Sequence, residues 1–142
     1  MSSKHFEYIE HTADLRFKSY GRTLGECFSN AAKAMFTAIV APSSVKAEQV
    51  KTIKLSSPKL ELLMHDYLSE ILFYFEDEGL LFSDFEVEVK ENKGYALTGI
   101  LSGEKYEPKR HVILTEIKAV TYHEMKIKEE KGIWSAEILC DI

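Results

Sequence analysis

Hydrophobic residues recur along the chain at two different spacings, and the change of spacing separates predicted helices from predicted strands. Helical spacing runs from Leu24 to Ile39 and again from Leu60 to Phe75, each time as one apolar stripe. Outside these stripes, apolar and polar residues alternate, which is typical of half-buried strands. The pattern predicts two helices and about seven strands.

Residues at the ends of the two stripes indicate where the helices begin and end. Thr23 and Glu26 have the spacing of a capping box, which predicts the start of the first helix. Ser57 and Pro58 predict the start of the second helix, with Ser as the cap and Pro at the first helical position. Gly79 predicts the end of the second helix.

The last thirty or so residues, 113–142, predict a long hairpin. Its first strand has alternating apolar positions, and Thr121 and His123 fall on that apolar side, where a packed histidine is more common than a catalytic one. The return strand places on one face Trp134, Ala136, Ile138, Cys140 and Ile142. We therefore expect the end of the chain to be fixed within a sheet rather than frayed.

The region before this hairpin has two different patterns. Residues 95–101 are apolar on both sides, which predicts a central strand. Residues 102–111 are polar and predict a mobile connection. Strands that mostly follow one another, together with two helices, predict an α+β fold in which the helices pack on a mainly antiparallel or mixed sheet. The length of 142 residues is that of a single domain, spanning 1–142.

Composition narrows the classes of function. The net charge of −5 disfavours direct nucleic-acid binding through a broad positive field. No apolar run reaches membrane-spanning length, and the first residues lack the apolar core of a signal peptide. Cys27 and Cys140 have neither metal-site nor disulfide spacing, which favours reduced core cysteines in a cytoplasmic protein.

Candidate chemistry is confined to a few acidic positions, since the sequence has no phosphate-binding loop, zinc motif or hydrolase motif. Asp14 interrupts two predicted strands, and Asp141 stands beside the carboxylate of Ile142. If the last strand pairs near the first ones, these carboxylates repel each other unless a cation neutralises them, and oxygen ligands suit Ca²⁺, Mg²⁺ or Mn²⁺. The alternatives are a turn-forming Asp14 and a solvated Asp141, and spacing does not decide between them.

Three groups of residues, together extending over nearly the whole chain, resemble the archease family. The first group comprises residues 11–14 (HTAD) and 20–24. The second comprises residues 66–72 and 78–82. The third, which is the most distinctive, comprises residues 117–123 (IKAVTYH), 134–137 and 141–142. Two positions depart from the usual pattern: Tyr67 stands where many relatives have Trp, and Cys140 where a bulkier or aliphatic residue is common.

The resemblance implies a function that composition does not indicate. Archeases assist the tRNA-splicing RNA ligase, which joins 2′,3′-cyclic-phosphate or 3′-phosphate ends to 5′-hydroxyl ends. They promote guanylylation of the ligase and its turnover, and they are activators rather than ligases themselves. The family's metal site corresponds here to Asp14, Asp141 and Ile142, with Ca²⁺ expected and Mg²⁺ or Mn²⁺ as alternatives.

The expected partner is therefore the RNA ligase, with no membrane and no strong direct binding of nucleic acid, and a monomer is favoured. We expect Lys118, His123 and Asp66 to contact the partner, because the resemblance includes all three. The alternative function is a small metal-dependent phosphoester hydrolase that holds an ion with Asp14 and Asp141 and uses His11 or His123 as the base.

Overall fold

The computed structural model describes residues 4–10 and 14–142, which contain seven strands and two α-helices. In chain order these are β1 (Phe6–Ile9), β2 (Asp14–Gly21), α1 (Leu24–Ile39), β3 (Gln49–Ser57), α2 (Leu60–Glu78), β4 (Leu80–Glu91), β5 (Tyr95–Lys105), β6 (Ala119–Glu130) and β7 (Ile133–Asp141). A single 3₁₀ turn, Pro42–Ser44, follows α1. Neither described helix is both long and apolar enough to cross a membrane.

The strands form two antiparallel sheets rather than one. The larger has the order β1-β2-β7-β6, and the smaller has the order β3-β5-β4. Both helices contact strands of both sheets, and the residues between them form one hydrophobic core. The predicted α+β fold is confirmed, and so is the central position of the strand that begins at Tyr95.

Capping explains where α1 begins and where α2 ends. The hydroxyl of Thr23 accepts a hydrogen bond from the amide of Glu26 at 3.1 Å, and the Glu26 carboxylate accepts one from the amide of Arg22 at 3.2 Å. These bonds satisfy amides that have no partner within the helix. Gly79 ends α2 with φ of 70°, a left-handed conformation that glycine adopts without a steric penalty.

The predicted start of the second helix at Pro58 is wrong. Ser57 is the last residue of β3, where it pairs with Tyr95, and α2 begins at Leu60 after Lys59. The Ser57 hydroxyl accepts a hydrogen bond from the Lys59 amide at 3.3 Å instead of capping the helix. Pairing with β5 therefore fixes Ser57 in an extended conformation, which local capping signals could not reveal.

The predicted mobile connection over residues 102–111 is also wrong. Strand β5 continues to Lys105, and the side chains of Glu104 and His111 are buried. Glu104 accepts hydrogen bonds from the Arg110 guanidinium at 3.2 Å and from the amide of Lys46 at 2.8 Å. Polar residues of this region therefore donate hydrogen bonds to a buried carboxylate, and these bonds hold the connection in place.

The tautomer of His111 follows from its two partners. Its Nδ1 accepts a hydrogen bond from the amide of Glu107 at 2.8 Å, so this nitrogen carries no proton. Its Nε2 lies 2.9 Å from the Glu104 carboxylate and therefore donates to it. His111 is thus neutral here, and it fixes the point at which the chain leaves the buried cluster.

The first strand of the predicted hairpin is shorter and less regular than expected. It begins at Ala119, and its pairing with β7 shifts between Thr121 and Lys126, so that residues 122–125 lie opposite the single residue Ile138. Within this bulge Glu124 has φ of 62°. The extra residues shift the alternation of inward and outward positions, so the prediction that His123 lies on the apolar side is wrong: His123 is exposed.

The buried cluster predicts a stability change in acid. The hydrogen bond from Arg110 lowers the pKa of the Glu104 carboxyl to about 2, in spite of burial. A folded-state pKa below the ordinary value gives stability that is present above pH 5 and is lost as the pH falls towards 2, by about 3 kcal/mol. We expect Glu104→Gln to lower the free energy of unfolding near neutral pH and to flatten its decline below pH 5.

Denaturant unfolding at a series of pH values measures this effect. The matched control is Glu130→Gln, because Glu130 is an exposed carboxylate whose pKa is also lowered by a neighbouring cation, Lys128. Solvent screens that exposed pair, so the control should follow the wild-type curve. Identical pH profiles for Glu104→Gln and wild type would contradict the assignment.

Candidate metal centre

The first residue of β2 and the last residue of β7 are direct neighbours across the strand ladder. Asp14 pairs with Asp141, and the same register continues to Gly21 opposite Trp134. The expectation that these two acidic residues lie close together is therefore confirmed. Residues directly opposite in an antiparallel pair project from the same face, with Cβ atoms about 5 Å apart.

Alternation of buried residues shows which face carries the acids. On β2, Phe17 and Ser19 are buried, and on β7 the buried residues include Ile138 and Cys140. Asp14 and Asp141 have the opposite parity and therefore lie on the outer face of the sheet, with Asp141 exposed and Asp14 half-buried. The core thus determines the orientation of both carboxylates.

Lys118 and Ile142 adjoin this pair through the main chain. The amide of Lys118 donates a hydrogen bond to the carbonyl oxygen of Asp141 at 2.8 Å, and the side chain of Lys118 is exposed. Ile142 follows Asp141, the last residue of β7, and is 44 % exposed.

The donor set fits a hard divalent cation. Two carboxylates project from neighbouring positions of one face, and oxygen ligands are those that Ca²⁺, Mg²⁺ and Mn²⁺ prefer. Within residues 4–10 and 14–142, no group of three His, Cys, Asp or Glu side chains could hold a metal. The third ligand that the family resemblance implies is the carboxylate of Ile142. His11, one of the two candidate bases of the alternative hydrolase, lies outside the described residues.

The other predicted partner-binding residues gather around the bulge of β6. His65 lies with its Nδ1 3.0 Å from the Asp66 carboxylate, and its ring contacts the edge of Tyr122 with centroids 6.1 Å apart. Asp66 is therefore positioned on α2 next to the bulge that contains His123. Burial, together with the charge of Asp66, raises the pKa of Glu70 one turn further along α2.

Arg16 is a residue near the acid pair that the sequence did not single out. It lies two positions after Asp14 on the same face, and its guanidinium is 2.8 Å from Glu124 and 3.7 Å from Glu137. The contact with Glu124 connects the bulge of β6 to β2, across the intervening strand β7. The period-two spacing from Asp14 could have indicated the shared face, but the bulge that brings Glu124 to Arg16 could not be predicted.

Comparison with known proteins identifies the family. Residues 6–142 match the model of the archease protein family. The chain is 45 % identical to protein archease of Methanosarcina mazei over 141 residues, which cover 98 % of this chain and 97 % of that protein. It is 44 % identical to protein archease of Methanopyrus kandleri over 138 residues, covering 96 % and 99 % of the two chains.

Solved structures agree with this assignment. The solution structure of protein 1598 of Methanobacterium thermoautotrophicum superposes with a TM-score of 0.87 at 37 % identity, covering 97 % of this chain and 99 % of that chain. The crystal structure of an archease from Thermotoga maritima, described as a possible chaperone, has a TM-score of 0.63 at 19 % identity and covers 94 % of each chain, and this likeness concerns the fold alone. The extent of these matches establishes that the chain belongs to the archease family.

Proposed function

We propose that this chain is a non-catalytic activator of the tRNA-splicing RNA ligase, and that it acts through a divalent cation held at the acid pair. The observation that carries the proposal is the direct pairing of Asp14 with Asp141 on one exposed sheet face. Two carboxylates at such a separation repel each other, and a cation between them removes that repulsion. Guanylylation and turnover of the ligase are the steps that this contact promotes.

The residues around the acid pair have distinct roles in this proposal. Asp14, Asp141 and the carboxylate of Ile142 supply the oxygen ligands, with Ca²⁺ as the favoured ion. The bound ion supplies a concentrated positive charge at the surface that meets the ligase. Lys118 holds the main chain of Asp141 through its amide, and its exposed ammonium contacts the ligase or its nucleotide.

The charge of the chain favours a protein partner over RNA. A net charge of −5 repels a phosphate backbone and complements a basic, RNA-handling enzyme of the cytoplasm. The decisive assay is ligation by the cognate ligase with limiting GTP and metal, with and without this chain. Assays of the chain alone on RNA, nucleotides and phosphoesters separate activation from hydrolysis, since turnover that disappears with Asp14→Ala would establish the hydrolase instead.

Asp14→Ala should separate folding from function. Removing one of two repelling carboxylates should leave thermal stability without metal unchanged or slightly higher. It should weaken binding of Ca²⁺ or Mn²⁺, measured by calorimetry, and abolish stimulation of the ligase, because an anionic ligand is lost. The matched control is Asp84→Ala, which removes an exposed acid from the other sheet.

Both readouts are needed to interpret this variant. A folded Asp14→Ala protein that binds the ion weakly and fails to stimulate the ligase supports the proposal, provided that Asp84→Ala behaves as wild type. Full stimulation by folded Asp14→Ala would refute the role of the acid pair.

Adding residues after Ile142 should disrupt the ion site without disturbing the core. A peptide bond at Ile142 replaces a charged carboxylate by a neutral amide, and hard cations bind less well when an anionic oxygen is removed. Ala136, Ile138 and Cys140 remain buried in register, so circular dichroism should be unchanged. We expect a short C-terminal extension to weaken the affinity for Ca²⁺ and to reduce ligase stimulation. Equal affinity in N-terminally and C-terminally extended proteins would exclude the Ile142 carboxylate as a ligand.

Lys118→Ala tests the ammonium group separately from the main chain. The amide that holds Asp141 is retained, so fold and ion affinity should remain those of the wild type. We expect stimulation of the ligase to fall about tenfold, in keeping with the loss of one charged contact. Lys54→Ala, which removes an exposed lysine from β3, serves as the control. Stimulation by Lys118→Ala with wild-type kinetics would show that this ammonium does not take part.

A further inference from the structure

The extended segment that leads from the buried cluster to the acid pair has an unusual surface. We call residues 112–118 the edge segment. Val112 is 71 % exposed and Leu114 is 60 % exposed, whereas Ile117 on the opposite side is 4 % exposed. Alternation of this kind is typical of a strand with one buried face, but here the outer face starts with two aliphatic residues.

Most main-chain amides of this segment have no hydrogen-bond partner among residues 4–10 and 14–142. Among the described residues, only the amides of Leu114 and Lys118 donate within the segment: Leu114 to the carbonyl of Ile39 at 2.7 Å and Lys118 to that of Asp141 at 2.8 Å. No hydrogen bond in the described part of the chain involves the amides of Ile113, Thr115 and Ile117. Main-chain groups left in this way are available for pairing with another strand.

The direction of these unpaired amides follows from chain geometry. Successive amides of an extended chain point to opposite edges. Because those of Leu114 and Lys118 point into the protein, those of Ile113, Thr115 and Ile117 point to the opposite edge. The edge segment is continuous with β6, which is the outermost strand of the larger sheet.

At the far end of the same sheet edge, the main chain of β6 is protected from pairing with another strand. The unpaired main-chain amides are therefore confined to the part of the edge near the acid pair. The amide of Ile127 in β6 donates to the carboxylate of Glu61 on α2 at 3.4 Å. Lys126 and Lys128 flank that position and are exposed. Carboxylate caps and lysines are devices that keep an edge strand from pairing with other chains. The edge segment has charges only at Glu116 and Lys118, beyond its aliphatic residues.

Hydrogen bonds anchor the chain at both ends of the edge segment. His111, just before the segment, bonds to Glu104 and to the amide of Glu107, and the amide of Lys118, at its end, donates to the carbonyl of Asp141. A main chain that is already extended loses little conformational entropy when a second strand pairs with it. Pairing here would place that strand next to Asp141.

We propose that the edge segment is a docking site for an extended strand of the RNA ligase, which adds to the sheet edge alongside Ile113–Ile117 by main-chain hydrogen bonds. The inference rests on the proposed function and adds the surface through which the partner binds. The added strand carries aliphatic residues that cover Val112 and Leu114, and a basic residue facing Glu116. Because the added strand lies beside Asp141, its binding brings the ligase to the ion site.

Two variants test the side-chain contribution. The double variant Val112→Lys/Leu114→Lys keeps the main chain but places charges where aliphatic contacts are proposed. We expect its affinity for the ligase, measured by calorimetry or surface plasmon resonance, to fall about tenfold or more. Val50→Lys is the matched control, because Val50 is 63 % exposed on the edge strand β3 of the other sheet. The control should bind the ligase as wild type does.

A second pair of variants tests the main chain. Thr115→Pro removes an amide that has no partner in the described part of the chain, so the fold should be kept, but it also removes a donor that the docked strand needs. Thr115→Ala changes the side chain and keeps the amide. We expect about tenfold weaker ligase binding for Thr115→Pro and unchanged binding for Thr115→Ala. Thermal melts and Ca²⁺ affinity should match the wild type in both.

The outcomes distinguish this inference from the function on which it rests. If the wild type binds and stimulates the ligase but the double lysine variant binds equally well, the docking site is wrong and the proposed function stands. If the wild type does not bind the ligase, both are wrong. Self-association of the wild type that the double variant abolishes, with ligase binding unaffected, would show that the occupant is a second copy of this chain and would overturn the proposal.

Discussion

The pairing of β2 with β7 is the interaction on which the rest of the structure depends. It joins residues near the start of the chain to residues near its end over a ladder from Asp14–Asp141 to Gly21–Trp134. A shift of one residue in this register would exchange the inward and outward faces, burying acids and exposing Ile138 and Phe17. The hydrophobic core therefore sets the position of two charges that do not themselves contribute to it. Stability and site geometry are determined by the same ladder.

Two groups of acidic residues in this protein contrast sharply. Glu104 is buried, its charge is balanced by Arg110, and it also accepts hydrogen bonds from the Lys46 amide and from His111. Asp14 and Asp141 face the outside as neighbours of like charge. The first arrangement stabilises the fold with charge-assisted hydrogen bonds. The second arrangement follows from the strand register and adds no buried charge to the core.

Much of the architecture could be predicted from local patterns. The capping box at Thr23, the terminating Gly79 and the alternating residues of β2 and β7 are signals contained within a few neighbouring positions, and each is confirmed. The nearness of Asp14 and Asp141 was expected from the proposed grouping of their carboxylates and from the family resemblance, and the register of β2 with β7 confirms it. The resemblance around residues 117–123 indicates the family from the sequence alone.

What could not be predicted depends on contacts between distant positions. His123 lies within the bulge of β6, where the regular alternation is interrupted, so the alternation assigned it to the wrong face. The sequence pattern assigned Glu104 to a polar connection. Its hydrogen-bond partners could not be identified without knowing that β5 continues to Lys105. Arg16 and Glu124 are 108 positions apart, and no local signal connects them. Periodicity describes a regular strand, and each of these features is an interruption of regularity.

The interior position of β7 has a consequence for biosynthesis. Of the described elements it is the last to leave the ribosome, yet it occupies the middle of the larger sheet, between β2 and β6. Until it emerges, β2 lacks a neighbour on one side and the buried face of Phe17 is incomplete. Sheet β3-β5-β4, whose strands all precede β6, can assemble earlier. Nascent chains therefore carry Asp14 without Asp141, and the acid pair forms only once translation has passed the final strand.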